Sequence, residues 1–322
     1  MAGTAARFTA ADVPELGGRT YLVTGGNSGI GFEAARVLAR RGGRVLLACR
    51  DPGRAQSAVA AILAESSRAS VEAMELDLAS LASVRAFASA FRARHGALHG
   101  LVNNAGVMAL PRRRTADGFE MQLGTNHLGH FALTGLLLDS LLAAPAAAAS
   151  GPGPRVVTVS SGAHRPGRID FGDLQGERRY GKWRAYAQSK LANLLFTYEL
   201  QRRLEKRGAE LISVACHPGY AATNLQFAGP RMESARWSER VMRLGNALLS
   251  QDAAAGALPT LYAATAPGVR GGDYFGPDGL GELKGSPRKV DSSPRSHDAA
   301  VAARLWEVSE ELTGVRFTAL AG

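Results

Sequence analysis

The sequence predicts an α/β fold with one doubly wound parallel sheet of about seven strands and helices on both faces. Short apolar stretches alternate along the chain with longer segments in which apolar residues have helical spacing. The first apolar stretch leads directly into a glycine-rich loop that opens a helical segment. Strands that alternate with helices in this way form parallel sheets covered on both faces.

The elements follow one another in a regular order. The predicted strands are residues 20–23, 44–49, 71–76, 98–103, 155–159, 211–215 and 271–276. The predicted helices are residues 32–41, 51–65, 81–95, 117–144, 183–207 and 298–312, the last followed by Gly314 as a helix terminator. We expect a surface insertion at residues 162–185 and a long surface loop at residues 277–297. Residues 232–249 are amphipathic, which suits core packing or a substrate lid.

Composition limits the function classes. With 322 residues, 46% of them hydrophobic, the chain can bury a sizeable core in one large domain or two small ones. Because the alternation of strands and helices continues without a boundary, we expect one domain over residues 1–322, with a lead at 1–18 and a loop plus helix at 277–322. The net charge is +10, but the arginines are dispersed, which favours a basic solvated surface over nucleic-acid binding. Neither an export signal nor a membrane-spanning stretch is apparent, so we expect a cytoplasmic protein.

The two cysteines do not predict a disulfide. Cys49 and Cys216 each end an apolar run, so we interpret them as small core residues rather than as a disulfide or a metal site. No metal is expected.

Residues 24–31 form the glycine-rich loop. Gly25, Gly29 and Gly31 lack the side chains that would keep the backbone away from a ligand. The helix that follows presents free N–H groups at its N-terminus, where a pyrophosphate can bind. A glycine cluster alone could be a plain turn, but a strand, a glycine loop and a helix in sequence predict a dinucleotide cofactor.

Polar residues follow the predicted strands where such a cofactor would pass. Arg50 follows the second strand, Asp77 the third, and residues 103–106 the fourth. An acidic residue after the second strand would select NAD, whereas arginine suits the 2′-phosphate of NADP. Asp51 more simply caps the next helix, so NADP(H) is favoured. Asp77 could contact the cofactor or cap a helix, and the sequence leaves both open.

Tyr186 and Lys190 lie four residues apart in a segment with helical character. They share one helix face, and the ammonium is predicted to lower the tyrosine pKa from about 10 toward working pH, as an acid/base catalyst requires. Ser161 follows the fifth strand, and Asn126 is a polar residue among apolar neighbours, so it is either structural or functional.

Together these motifs resemble the short-chain dehydrogenase/reductase family over nearly the whole chain. The matching pieces are Thr24-Gly25-Gly26-Asn27-Ser28-Gly29-Ile30-Gly31, Asn103-Asn104-Ala105-Gly106, Asn126, Val159-Ser160-Ser161, Tyr186-Ala187-Gln188-Ser189-Lys190, and Pro218-Gly219 with Thr223. Within the family the chain is most similar to the branch of retinol dehydrogenases and protochlorophyllide reductases. That similarity lies in Cys49-Arg50-Asp51, Asp173-Leu174-Gln175-Gly176-Glu177 and Ser189-Lys190-Leu191-Ala192-Asn193.

The resemblance implies a single Rossmann-type domain and a role for each site residue. Tyr186 would exchange a proton with the substrate oxygen, Lys190 would lower its pKa and bind the nicotinamide ribose, and Ser161 would hydrogen-bond that oxygen. Asn126 would hold a water that connects Lys190 to bulk solvent. The cofactor-binding set implied by the resemblance is Gly25, Asn27, Ser28, Gly29, Ile30, Gly31, Arg50, Asp77, Leu78, Asn104, Ala105, Gly106, Tyr186, Lys190, Pro218, Gly219 and Thr223.

The implied activity is NADP(H)-dependent interconversion of a carbonyl and an alcohol on a medium-sized apolar small molecule. Two alternatives stay open: NADPH-dependent reduction of a carbon–carbon double bond, and a catalytically silent NADP-binding sensor. Relatives commonly pair through the helices that correspond to residues 117–144 and 183–207, which would give a homodimer or a homotetramer, but the sequence leaves the oligomeric state open.

Overall fold

Eight strands form one sheet, and seven of them are parallel. A computed structural model of the chain describes residues 7–66, 68–145, 151–220 and 252–320. The strands are Thr20–Thr24 (β1), Arg44–Cys49 (β2), Ser70–Glu75 (β3), Gly100–Asn103 (β4), Arg155–Val159 (β5), Ile212–Cys216 (β6), Tyr274–Pro277 (β7) and Pro287–Lys289 (β8). Their order is β3-β2-β1-β4-β5-β6-β7-β8. The predicted doubly wound parallel sheet is confirmed.

Helices cover both faces of the sheet. They are Gly29–Arg40 (α1), Pro52–Glu65 (α2), Leu81–Arg94 (α3), Met121–Leu123 (α4), Gly129–Leu136 (α5), Leu138–Leu142 (α6), Lys182–Arg207 (α7), Ala253–Thr265 (α8) and Ala299–Thr313 (α9). The predicted helix ends are confirmed where a local cap sets them. Asp51 accepts a hydrogen bond from the Arg54 N–H before α2, and Gly314 ends α9 with a φ of 61°.

Successive strand residues point to opposite faces, so each strand contributes to two cores. Leu22 and Leu46 belong to the core beneath α3, α5, α7 and α9, which also contains Phe131 and Trp306. Tyr21 and the strand residues that flank Leu46 face α1, α2 and α8 instead. Each large apolar side chain buried in this way contributes about 1.5–3 kcal/mol. Cys49 and Cys216 are free and buried in the second core, as predicted.

The region predicted as one helix over residues 117–144 differs at its start and in its middle. Asp117 lies outside the helix, and its carboxylate accepts a hydrogen bond from the Leu81 N–H at the start of α3, at 2.9 Å. Glu120 caps the helical segment instead. A π-helical turn, Gly124–Leu128, then separates α4 from α5, and π turns are frequent at functional sites.

The two predicted surface loops are better ordered than the sequence indicates. In residues 162–185 the side chains of His164, Asp173 and Leu174 are buried, so the prediction of a surface insertion is wrong in part. In residues 277–297 the strand β8 pairs antiparallel with β7. The buried side chains of residues 162–185 and the strand β8 both depend on partners distant in sequence. Neither therefore shows as a periodic pattern of apolar residues in the sequence.

The topology places the site at the carboxyl edge of the sheet. β1 pairs with β2 on one side and with β4 on the other, so the connections from β1 and β4 leave in opposite directions. A crevice at this switch point is where ligands bind in doubly wound sheets. Among the described residues, no helix is long and apolar enough to cross a membrane, and no cluster of His, Cys, Asp or Glu could hold a metal ion.

Candidate active site

Tyr186 and Lys190 lie one turn apart near the N-terminus of α7, and both are almost fully buried. The Lys190 Nζ atom lies 5.9 Å from the centre of the Tyr186 ring. It donates a hydrogen bond to the Val159 carbonyl oxygen, at 3.0 Å, which ties the helix to the end of β5. The two side chains therefore share one face, as predicted from their spacing.

The predicted direction of the tyrosine pKa shift is wrong for this structure. Burial raises the pKa of Tyr186 to about 12, because a phenolate would lose its hydration. The same burial lowers the pKa of Lys190 to about 8, since an ammonium is also costly in this environment. Sequence spacing places the charge beside the ring, but desolvation is the larger effect on both groups.

The two serines after β5 have different surroundings. The Ser161 side chain interacts with the Tyr186 phenol, and this interaction acts to lower the tyrosine pKa. Its Oγ also accepts from the Ala163 N–H at 3.2 Å. Ser160 is buried and donates to the Lys190 carbonyl oxygen at 2.8 Å. Of the pair, only Ser161 is brought together with Tyr186.

Asn126 lies in the π-helical turn and makes three hydrogen bonds through its side chain. It donates to the Val107 carbonyl oxygen and to the Ser189 hydroxyl, both at 2.9 Å, and accepts from the Val107 N–H at 2.8 Å. Asn126 therefore links the loop after β4 to α7. Its contact on α7, Ser189, lies between Tyr186 and Lys190 in sequence. The buried polar residue is satisfied, so its structural role is clear.

The glycine loop runs from β1 into α1. Gly25 and Gly29 have φ values of 66° and 56°, a conformation that favours glycine. Ser28 is the N-cap of α1, but its side chain makes no capping hydrogen bond, which leaves the helix N-terminus open to a ligand. The loop lies at the same sheet edge as Tyr186 and Ser161.

A model of the short chain dehydrogenase family matches residues 19–233, which is more than half of the chain. The chain belongs to the short-chain dehydrogenase family. The resemblance predicted from the motifs is therefore confirmed, and the protein is an oxidoreductase that uses a nicotinamide nucleotide and a small-molecule substrate.

Two relatives are similar to this dehydrogenase over most of their own length. Human retinol dehydrogenase 12 is 43% identical over 308 residues, covering 94% of this chain and 89% of that protein. Mouse polyprenol dehydrogenase is also 43% identical, over 305 residues, covering 94% of this chain and 86% of its own. The chain thus aligns with these relatives over nearly its whole length.

Two solved structures are similar to it. An uncharacterized protein from Mycobacterium paratuberculosis has a TM-score of 0.77 and 43% identity, with 97% of this chain and 99% of that chain covered. RhlG from Pseudomonas aeruginosa, in complex with NADP, has a TM-score of 0.60 and 26% identity, with 81% and 94% covered.

The cradle of this dehydrogenase fits a dinucleotide. A side chain on Gly31 would lie 2.6 Å from the Gly25 carbonyl oxygen, so only glycine permits this tight turn. A side chain on Gly106 would lie 3.1 Å from the Asn126 Oδ1 atom and 3.7 Å from the Lys190 Nζ atom.

Arg50 and Asp77 have different surroundings at the strand ends. Arg50 is exposed and makes no hydrogen bond or ion pair within the part of the chain that the structure describes. The Asp77 Oδ1 atom accepts from the Ala79 N–H at 2.9 Å, whereas Ser80 is the N-cap of α3. The alternative in which Asp77 caps the helix is therefore wrong. Leu78 is buried beneath Gly129.

Thr24 and His130 are site residues that the sequence analysis did not assign. The Thr24 hydroxyl oxygen accepts from the N–H groups of Asn104 and Ala105, both at 2.9 Å. The His130 Nδ1–H donates to the Asn126 carbonyl oxygen, so its Nε2 accepts from the Thr24 hydroxyl at 2.9 Å. This chain of contacts joins β1, the loop after β4 and the π turn. Thr24 stood in the glycine-loop motif already singled out, but its pairing with His130 required the fold.

Pro218 and Gly219 follow β6. Gly219 has a φ of 67°, and its N–H donates to the ring of His217 at 3.2 Å. Thr223 and the amphipathic residues 232–249 lie outside the described residues.

Proposed function

We propose that this dehydrogenase interconverts a carbonyl and an alcohol on an apolar substrate, with NADP(H) as its cofactor. The observation that supports this is that the side chains of Ser161 and Tyr186 interact beside Lys190, at the sheet edge that the glycine loop faces. Two hydroxyl groups that meet at one point can both hydrogen-bond a single substrate oxygen. The relatives named above are dehydrogenases of retinol and polyprenol, both apolar alcohols.

The side chains divide the work of the reaction. When bound, the nicotinamide supplies or accepts the hydride. Ser161 and Tyr186 would orient the substrate oxygen, and Tyr186 would give it a proton during reduction or take one during oxidation. The high pKa of Tyr186 keeps the phenol protonated, which suits the reduction direction. Lys190 would stabilise the phenolate that remains after proton transfer, and Asn126 would hold a water that returns the proton.

The cofactor would lie across the switch point. Its pyrophosphate would meet the N-terminus of α1, and its nicotinamide ribose would meet Lys190. The residues that would hold it are Gly25, Asn27, Ser28, Gly29, Ile30, Gly31, Arg50, Asp77, Leu78, Asn104, Ala105, Gly106, Tyr186, Lys190, Pro218, Gly219 and Thr223.

Arg50 gives the preference for NADP over NAD in this proposal. Replacing Arg50 by Ala should weaken NADPH binding by about 10–100-fold, because a charged hydrogen bond to the 2′-phosphate is lost. NADH binding should change little, and nicotinamide fluorescence titrations measure both affinities. Arg54→Ala is the matched control, since it removes a nearby exposed cation from α2. Equal weakening of NADPH and NADH would show that Arg50 does not contact the 2′-phosphate.

A titration followed by a substrate panel tests the function itself. We expect tight NADPH binding by nicotinamide fluorescence, and then oxidation of the bound NADPH by bulky apolar aldehydes or ketones. Faster turnover of small polar carbonyls would contradict the substrate class. Reduction of the double bond of an enone with its carbonyl left intact would favour the double-bond reductase, and no binding of either nucleotide would refute the proposal.

A further inference from the structure

The segment between β7 and α9 contacts both loops that carry the reaction. Glu282 follows β7, and its carboxylate has two partners from different parts of the chain. Its Oε2 atom lies 2.9 Å from the His217 Nε2 atom, and its Oε1 atom lies 3.1 Å from the Arg165 guanidinium. His217 precedes Pro218 and Gly219, and Arg165 belongs to the loop that begins at Ser161. One carboxylate therefore connects the cofactor side of the site to the substrate side.

The hydrogen bonds determine which His217 nitrogen carries the proton. The Gly219 N–H can only donate, so the His217 Nδ1 atom must accept from it. Burial lowers the pKa of His217, which keeps the ring neutral and leaves its single proton on Nε2. That Nε2–H donates to Glu282. The carboxylate thus fixes the ring orientation, and the ring in turn holds the Gly219 N–H.

Glu282 adopts a backbone conformation that few residues other than glycine adopt. Its φ is 58°, and Gly281 beside it has a φ of 62°. A non-glycine residue in this region is strained and persists where its surroundings hold it. The loop that contains Glu282 also packs closely against Gly219, because a side chain on Gly219 would lie 2.9 Å from the Glu282 carbonyl oxygen. The contacts of the Glu282 carboxylate with His217 and Arg165 therefore offset the free-energy cost of this strained backbone conformation.

A second histidine ties the same segment to the serine loop. The Ser293 N–H donates to the His164 Nε2 atom at 3.0 Å, so the His164 Nδ1–H donates to the Ser161 carbonyl oxygen at 2.6 Å. Arg165 also donates to the Asp291 carbonyl oxygen at 3.0 Å. The backbone of Ser161 is therefore held by residues that follow β7, and not only by β5.

We propose that Glu282 is a positioning residue for hydride transfer. Through His217 it fixes the Pro218–Gly219 turn against the nicotinamide, and through Arg165 it holds the Ser161 loop against the substrate oxygen. Together the two contacts set the distance between hydride donor and acceptor. This inference depends on the function proposed above.

Glu282→Gln and Glu282→Gly test the proposal together. Glutamine retains the side-chain length but cannot accept from both partners at full charge, whereas glycine removes the carboxylate and relieves the backbone strain. For both variants we expect kcat for NADPH-dependent carbonyl reduction to fall about tenfold, since small errors in alignment are costly. NADPH should bind more weakly and the carbonyl KM should change little. The primary isotope effect with NADPH deuterated at the transferred position should increase, because the hydride step becomes slower.

Glu72→Gln is the matched control. Glu72 also bridges an arginine and a histidine, Arg94 and His95, but it lies on β3 at the far end of the sheet. We expect Glu72→Gln to leave kcat and the isotope effect unchanged. Thermal unfolding of all variants separates positioning from folding, and in Glu282→Gly the relief of backbone strain should offset part of the stability lost with the carboxylate contacts.

The outcomes separate this inference from the proposed function. Wild-type protein that reduces carbonyls, with Glu282→Gln and Glu282→Gly equal to it in kcat and isotope effect, would overturn the inference alone. A loss of kcat that Glu72→Gln shares, or that follows a lowered unfolding midpoint in both Glu282 variants, would also overturn it. Wild-type protein that binds no nicotinamide nucleotide would overturn the proposed function as well.

Discussion

Replacing Tyr186 by Phe is expected to reduce turnover about 10³-fold while NADPH binding stays nearly intact. The substitution removes one oxygen atom and keeps the ring, so the packing of α7 is preserved. General acid catalysis by a positioned side chain contributes about 10²–10⁴-fold, which sets the size of the loss. Steady-state rates with the best carbonyl substrate and a fluorescence titration with NADPH measure the two quantities separately.

Tyr21→Phe is the control for this prediction. Tyr21 is as deeply buried as Tyr186 and lies on β1, but it faces the core formed with α1 and α8. We expect full turnover from this variant. If Tyr186→Phe weakened NADPH binding as much as it slowed turnover, Tyr186 would be a structural residue rather than the acid.

The rate of carbonyl reduction is expected to fall as pH rises through about 8. Tyr186 keeps its proton up to a pKa of about 12, so it does not limit reduction below that pH. Lys190 loses its proton at a pKa of about 8, because burial disfavours the ammonium. Above that pH the phenolate formed during reduction lacks its positive neighbour. A pH profile of kcat from pH 6 to 9.5 measures the effect.

Lys190→Met should abolish this pH dependence and lower kcat about 10²-fold or more, since the phenolate is then never stabilised. A profile in Lys190→Met with the same fall near pH 8 would assign the transition to another group. NADPH binding should also weaken, because the ammonium would contact the nicotinamide ribose.

The pH dependence of the free energy of unfolding gives an independent measure of the Lys190 pKa. The pKa of Lys190 is about 8 in the fold and about 10.4 in an unfolded chain, so the unfolded state binds more protons between these values. The free energy of unfolding should therefore gain a contribution that rises with pH over that window. Denaturant titrations of wild type and Lys190→Met measure this contribution, because the difference between their free energies of unfolding should rise between pH 7.5 and 10.

The sequence by itself determined the features that depend on local chemistry. The alternation of apolar and amphipathic segments predicted the parallel sheet, and the caps at Asp51 and Gly314 placed helix ends correctly. The spacing of Tyr186 and Lys190 predicted their shared face. Each of these follows from the geometry of a few neighbouring residues.

The tertiary structure decided what depends on burial and on distant partners. Desolvation raises the pKa of Tyr186, whereas the nearby Lys190 alone would lower it. The pairing of β8, and the contact of Glu282 with His217, join segments that have no sequence pattern in common. A short polar segment such as residues 277–297 has no periodicity that predicts its conformation, because its hydrogen bonds are made across the fold rather than along the chain.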